Sequence, residues 1–413
     1  MARLTAGARD VLPDLSPYFS LGRVMSGLSR LLTHLYGIEL RPVAPRPGEL
    51  WHPEIRKLEV VDADGGSRLL GIIYCDVFAR PGKTNVGAAH FTVRCSRRVD
   101  DDLAFPELDP ETAGSNETIF ADRSSGKVFQ LPLVVLTCDF SPPTPRSPCL
   151  LSPGEVKTLF HEMGHAMHSM LGQTGYHNVA GTRCPVDFVE LPSILMEHFA
   201  LTPPVLQLFA SHHQTNQPLQ PGLVTQHKRL QSQVGTMDVH SQLFMSALDQ
   251  KYHSEDLGLG DDSTCRLERE FDWSTKVLAD MQNSPDFGGG DRLTFPHVEG
   301  TRWQTRFGHL IGYGASYYSY LFDRVLAGKI WQSMFSPEIR HKAGGPLSRE
   351  GGERFKTEVL RWGGGRDPWV SLAALLDHSD AGLSPRQVEL LGRGGQAAVE
   401  IVGSWGLYGR DLP

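Results

Sequence analysis

His161 and His165, with Glu162 between them, form the run of the chain most specific for chemistry: His161-Glu162-Met163-Gly164-His165. On a helix, positions four apart lie one above the other on the same face, so both imidazoles can reach one ion. The HExxH pattern is that of a helix which binds zinc with its histidines and activates water with its glutamate. Five residues match by chance in many chains, so the weight comes from the flanks. Ser152-Pro153-Gly154-Glu155 is a capping box with proline at the first helical position, which predicts a helix start just upstream. Val156, Leu159, Phe160, Met163, Met167 and Met170 recur at helical spacing and give that helix an apolar face, with Gly172 as its stop. The histidines then sit mid-helix, where ligands are held rigidly.

A catalytic zinc site takes three protein ligands and keeps one position for water. Glu190 is the preferred third ligand. It precedes the apolar run Ile194-Leu195-Met196-Glu197-His198-Phe199, which predicts a second buried helix interrupted near its start by Pro192. A carboxylate buried there needs a partner, and a metal is one of few that would serve. His168 is the alternative third ligand, seven residues after His161 on roughly the same face, but ~10 Å further along the axis. Asp187, one turn before Glu190, is a candidate to hold the free ring nitrogen of a zinc-bound histidine.

A second concentration of donors lies in a glycine-rich stretch holding His309, Tyr313, Tyr317, Tyr318 and Tyr320. Hydroxyl and imidazole donors are what a site needs where negative charge develops on an attacked carbonyl oxygen. On the residues alone, core or interface aromatics are the more economical reading of this spacing.

HEMGHAMH (161–168), GTRCPVDFVELPSILMEHF (181–199) and FGHLIGYGASYYSYL (307–321) together resemble the thimet-oligopeptidase-like zinc metallopeptidase family, most closely the catalytic portion of its mitochondrial intermediate peptidase branch. The three blocks stand in the family's order, and the step from His161 to Glu190 is the family's step. Similarity extends from Tyr18-Phe19 to Gly363-Gly364-Gly365-Arg366-Asp367-Pro368. The resemblance implies one zinc ion per chain on His161, His165 and Glu190, with Glu162 as general base. It implies that Tyr313 and Tyr320 contact the scissile carbonyl and transition state, and that His309 binds substrate backbone. The broader family places two glycines ahead of the first tyrosine; His309-Leu310-Ile311-Gly312-Tyr313 is a shorter step that matches the mitochondrial branch.

The fold so implied is mainly α, a zincin-like helical metallopeptidase with a small β-sheet beside the zinc-binding helix. Residues 1–150 would supply the N-terminal helix and the sheet, and 151–413 the helical catalytic region. The implied function is a zinc metalloendopeptidase of the mitochondrial matrix, acting as a monomer. It would remove a short N-terminal octapeptide from imported precursor proteins already cleaved once. A general oligopeptidase, or a non-catalytic zinc-binding remnant that still holds peptide, are the alternatives. Family members carry a long helical region before the stretch like Tyr18-Phe19, forming a channel wall, and the expectation is that this chain lacks it.

Composition agrees with an enzyme of this kind. A net charge of −7 argues against a nucleic-acid partner. No apolar run reaches membrane-spanning length. Six cysteines, at 75, 95, 138, 149, 184 and 265, show no CxxC pair and no disulfide spacing, and read as reduced thiols, with Cys184 close to the metal site. Met1 to Arg9 carries Arg3 and Arg9 without an acid but is too short for a transit peptide.

The elements that must position these groups are legible in outline. Val24, Leu28, Leu31, Leu32 and Leu35 predict a helix ending near Gly37. Lys57–Val61 and Leu69–Phe78 flank Asp62-Ala63-Asp64-Gly65-Gly66 as a hairpin, and Ala89–Cys95 and Val128–Cys138 predict two further strands. The acidic stretch Asp100–Lys127 is expected to be a surface loop. Asp286-Phe287-Gly288 lacks the companions of a kinase motif, and Gly363-Gly364-Gly365-Arg366 lacks those of a phosphate loop. His212-His213 is a weak metal signal.

Overall fold

A computed structural model describes residues 12–83, 87–100, 119–122, 126–254, 266–287, 297–337 and 345–407. Met1–Arg9, most of the acidic stretch, Gly288 and Cys265 lie outside them. In chain order the elements are α1 (Leu21–Tyr36), β1 (Ile38–Val43), β2 (Arg56–Asp62), β3 (Arg68–Phe78), β4 (Ala89–Arg94), β5 (Arg97–Arg98), β6 (Ile119–Asp122), β7 (Lys127–Gln130) and β8 (Leu133–Phe140). Helices follow: α2 (Pro153–Leu171), α3 (Leu191–Ala200), α4 (Pro203–Leu206), α5 (Pro221–Tyr252), α6 (Arg266–Asn283), α7 (His309–Gly312) and α8 (Ser319–Ile330). The last four are α9 (Arg349–Glu358), α10 (Pro368–Leu376), α11 (Pro385–Arg393) and α12 (Gly395–Trp405). This is a mainly α chain with a small mixed sheet, as expected.

Helix α1 buries all five predicted apolar residues completely. Gly37 ends it in the left-handed region at φ 66°, its N–H reaching the carbonyls of Leu32 and Thr33. The predicted hairpin forms: β2 and β3 pair antiparallel with Val61 opposite Leu69, and Asp62 Oδ1 accepts the Gly65 N–H at 2.8 Å across the turn. The main sheet has the order β1-β2-β3-β8-β4, antiparallel except for the β3/β8 pair, which is parallel and places Cys75 beside Leu136. Central strand β3 is buried almost throughout, as a strand covered on both faces must be. Helix α2 packs against β3, β4 and β8.

Two expectations about strands need correction. Val128–Cys138 is not one strand: β7 and β8 belong to different sheets, and the break falls at Leu131-Pro132, where proline offers no N–H to continue a ladder. The acidic stretch is not wholly a loop, because Ile119–Asp122 pairs antiparallel with β7 in a three-stranded sheet of order β5-β7-β6. There the β-branched Ile119 favours a strand against its polar surroundings.

The chain divides into two compact units, one running to Leu230 and resuming at Arg324, the other Gln231–Asp323. The first is therefore discontinuous in sequence and is closed by contacts between its ends. Helix α1 packs on α9, where Arg349 donates to the Thr33 carbonyl at 2.9 Å and Lys356 Nζ to the Tyr36 carbonyl at 3.0 Å. No described helix is long and apolar enough to cross a membrane.

Where β3 ends, Asp76 is buried among cations. Arg80 grips both its oxygens, Trp51 Nε1 donates to Oδ2 at 3.0 Å, and Lys83 Nζ lies 3.3 Å from Oδ1. Burial alone would raise the carboxyl's pKa; the bonds from Arg80 and Trp51 and the charges of Lys83 and Arg80 outweigh it and lower it to about 2. A depressed carboxyl contributes stability that is full above its unfolded pKa of about 3.9 and is lost as pH falls through the folded value. Asp76→Asn is expected to destabilise the chain by about 3 kcal/mol at pH 7. In urea unfolding followed against pH, the gap between variant and parent should close between about pH 4 and pH 2. A gap that stays constant with pH would mean the charge of Asp76 contributes nothing.

Candidate metal centre and active site

The capping box at the start of α2 forms as the sequence predicts. Ser152 Oγ accepts the Glu155 N–H at 3.2 Å, and Glu155 Oε2 accepts the Ser152 N–H at 2.7 Å. Every apolar residue assigned to the buried face of α2 is buried, and the helix ends at Gly172. Glu190 is the residue at which α3 begins, with Pro192 in the first turn, where its missing N–H costs nothing. The two helices meet backbone to backbone at Gly164. A Cβ there would stand 2.5 Å from Ser193 Cα and 2.8 Å from the Pro192 carbonyl oxygen, so only glycine allows this approach. One turn of α3 is thereby laid across the face of α2 that carries the histidines.

The consequence is convergence of three donors. Glu190 Oε2 lies 3.3 Å from His161 Nε2 and 3.1 Å from His165 Nε2, and the three donor atoms fall within 4.8 Å of one another. Two imidazole nitrogens and one carboxylate oxygen are the donor set of a zinc site that keeps a position open. The Glu190 side chain is buried, and such a carboxylate needs cationic partners. Its bonds to the two imidazoles outweigh the effect of burial and hold its pKa well below the carboxylate range. These observations fit a divalent cation held by the three donors.

Around the donors stand supporting groups. Glu197 Oε1 lies 2.7 Å from His161 Nδ1, and Lys157 Nζ lies 3.0 Å from the other Glu197 oxygen. Because a carboxylate only accepts, His161 Nδ1 carries a hydrogen and Nε2 is the atom left to face the site. Burial lowers the His161 pKa, but the bonds to Glu190 and Glu197 outweigh it and raise it to about 10; the same bond and Lys157 bring Glu197 down to about 2 against its own burial. Ser193 Oγ lies 3.1 Å from Glu190 Oε2 and 2.7 Å from its carbonyl oxygen. Glu162 is buried, which raises its pKa, while the neighbouring imidazoles oppose the rise. On β4, His90 brings its ring to 5.8 Å from that of His165, with Nε2 3.0 Å from Ser169 Oγ.

Sequence reasoning did not single out Glu197, although two signals were available. It follows Glu190 by two helical turns, on the same face, and Lys157 precedes His161 by one turn. Asp187 sits in a single 3-10 turn ahead of α3, and the Nδ1 of His161 is served by Glu197. His168 lies outside the converging group: it is fully buried, neither ring nitrogen has a hydrogen-bond partner among the described residues, and burial lowers its pKa to about 3. It faces the core as a neutral ring. Cys184 is half-buried, and Cys75, Cys95, Cys138 and Cys149 are buried free thiols.

The tyrosines belong to the second unit. His309, Tyr313, Tyr317 and Tyr320 form one aromatic cluster, with ring centroids 5.5 Å apart for His309 and Tyr313 and 6.2 Å for Tyr313 and Tyr320. Tyr313 is 37% exposed, so its ring is not core packing, whereas Tyr317 is buried and donates its hydroxyl to Gln242 Oε1 at 3.0 Å. Tyr318 turns instead toward Phe322.

Comparison with known proteins places this geometry in context. The profile of "Peptidase family M3" matches residues 6–381. "Mitochondrial intermediate peptidase 1" of Cryptococcus neoformans var. neoformans serotype D is 47% identical over 409 residues, 95% of this chain and 50% of that protein. "Mitochondrial intermediate peptidase" of Malassezia globosa is 45% identical over 96% of this chain and 46% of its own length, and that of Pleurotus djamor 47% over 94% and 46%. The chain spans about half the length of the curated relatives it matches.

Two measurements test the centre. His161→Ala, His165→Ala and Glu190→Ala are each expected to lose bound zinc, while Glu162→Gln and His168→Leu, if folded, retain it. Metal analysis of the purified variants decides this, and zinc retained by Glu190→Ala but lost by His168→Leu would reverse the assignment. Glu197→Ala is expected to weaken zinc affinity by about 10- to 100-fold, with Glu197→Gln weakened less because it still accepts from His161. Equal affinity in all three proteins, by competition with a chelating dye, would show that Glu197 does not support the site.

Proposed function

The chain belongs to peptidase family M3, and on that premise we propose that it is a zinc metalloendopeptidase. In this reading His161, His165 and Glu190 hold one zinc ion and Glu162 is the general base. The observation that carries the proposal is the convergence of three donors on two crossing helices, with a buried carboxylate that requires a cation. Bound zinc would lower the pKa of a water molecule and polarise the scissile carbonyl. Glu162, adjacent to His161 on α2, takes the proton of the attacking water and returns it to the leaving amine. Tyr313 and Tyr320 donate hydroxyls to the carbonyl oxygen as charge develops on it, and His309 bonds substrate backbone. Strand β4 ends the five-stranded sheet beside α2, with Phe91 and Val93 exposed, and offers an edge along which an extended peptide can lie.

Relatives named mitochondrial intermediate peptidase support the substrate reading: imported precursors, already cleaved once, from which a short N-terminal octapeptide is removed in the mitochondrial matrix by a monomeric enzyme. Residues 1–150 then serve as part of the peptidase domain, supplying the sheet, and 151–413 as its helical catalytic region.

Turnover of a once-cleaved precursor, compared with short free peptides, tests the substrate. Precursor is expected to give the higher kcat/KM. Equal values would favour a general oligopeptidase, and stoichiometric zinc with no turnover of either would indicate a peptide-binding remnant. Tyr313→Phe and Tyr320→Phe are expected to keep fold and zinc while losing on the order of 100-fold in kcat, with KM little changed. Full activity in both variants and in the double variant would return these rings to a packing role.

A further inference from the structure

Within the second unit, one carboxylate holds a whole turn of backbone. Asp249, in the last turn of α5, is completely buried. Its Oδ1 accepts the N–H of Ala315 at 3.0 Å and its Oδ2 the N–H of Tyr317 at 2.9 Å. His253 brings Nδ1 to 3.0 Å from Oδ1 and 2.9 Å from the Asp249 carbonyl; both are acceptors, so this nitrogen carries the hydrogen. Gln250 Nε2 donates to the Ala315 carbonyl at 2.8 Å.

Further signs of constraint converge on the same turn. A Cβ on Gly314 would stand 2.6 Å from His253 Nε2, so the imidazole lies directly on the turn's backbone. Ala315 has φ 62°, a left-handed conformation unfavourable for a residue with a Cβ and kept only where the surroundings over-determine it. A buried anion is costly unless satisfied, and here its partners are the backbone between Tyr313 and Tyr320.

We propose that Asp249 is a positioning residue which, with His253 and Gln250, locks the 313–317 turn and so presents the Tyr313 and Tyr320 hydroxyls in one fixed geometry before substrate arrives. The proposal rests on reading those tyrosines as donors to the transition state. Donors fixed in advance need no reordering at the moment of reaction, which is where such groups gain their effect.

Hydrogen exchange in the full chain separates this role from ordinary packing. Asp249→Asn keeps the side chain's size but sets an amide N–H₂ against a backbone N–H. Exchange of the Ala315 and Tyr317 amides is then expected to rise roughly tenfold or more. Segment 153–171 and the zinc content should stay as in the parent, and kcat should fall with KM nearly constant. His253→Ala, at a side chain 35% exposed, should give the same changes to a smaller degree, and it carries the test if Asp249→Asn does not fold. Unchanged exchange in both variants would overturn the lock. Faster exchange with undiminished turnover, in an enzyme impaired by Tyr313→Phe, would overturn the positioning role. Full activity of the tyrosine variants would instead remove the catalytic reading of the tyrosines, and the positioning role with it, while exchange would still decide whether Asp249 fixes the turn.

Discussion

A carboxylate buried between two imidazoles is the constraint from which the rest of the first unit follows. Glu190 can be kept from water only if polar partners meet it at about 3 Å, and those groups are on another helix. Helices α2 and α3 must therefore touch at their backbones, which Gly164 permits, and α3 must begin at Glu190, which Pro192 favours. The charges then alternate outward: Glu190, His161, Glu197, Lys157. Each sign is neutralised by the next, so that the charge is passed from the buried centre to a half-exposed lysine, where water completes the solvation. Removing an inner member leaves its neighbours uncompensated, which explains why a site made of few atoms involves two turns of each helix.

The sheet gives that pair of helices something rigid to stand on. Helix α2 lies against β3, β8 and β4, so the register of three strands fixes the rotation of the histidine face. His90 extends this from the sheet side, bonded to Ser169 and set against the ring of His165. At the far end of β3 the cluster of Asp76, Arg80, Lys83 and Trp51 ties the strand end to the connection that follows it, with Lys83 also reaching backbone carbonyls of Asp76 and Phe78. The two polar centres differ in kind. That at Asp76 is closed, with its acceptors met by resident cations, whereas that at Glu190 is arranged around a point that three donors face.

What the sequence made legible was whatever is local. The helix carrying His161 and His165 could be drawn to its caps, because a capping box and an apolar face repeat within one turn of each other. The hairpin of β2 and β3 was legible for the same reason. Glu190 was reached by the cost of burying a carboxylate and by resemblance, since nothing in its own spacing to His161 says that two helices cross. Glu197 was passed over because its partner lies on a different helix, although its step from Glu190 was visible. The split of β7 from β8 turned on one proline inside an apolar run, and hydropathy gave it no weight. The role of Asp249 was illegible, since apart from the neighbouring His253 its partners are backbone N–H groups more than sixty residues away, which have no side-chain signature.

The joining of α1 to α9 bears on how the chain comes to be made. The carbonyls of Thr33 and Tyr36 receive their donors from Arg349 and Lys356, 316 and 320 residues later. A ribosome adding roughly 5–20 residues per second needs on the order of a quarter of a minute to a minute to cover that distance. Throughout that interval the leucine face of α1 has been synthesised but its last partner has not, while the whole of Gln231–Asp323 emerges in between and can form its own contacts. The inserted unit can thus mature before the unit that hosts it. Until then an apolar helix waits without its last partner, and its protection during synthesis falls to whatever holds nascent chains apart.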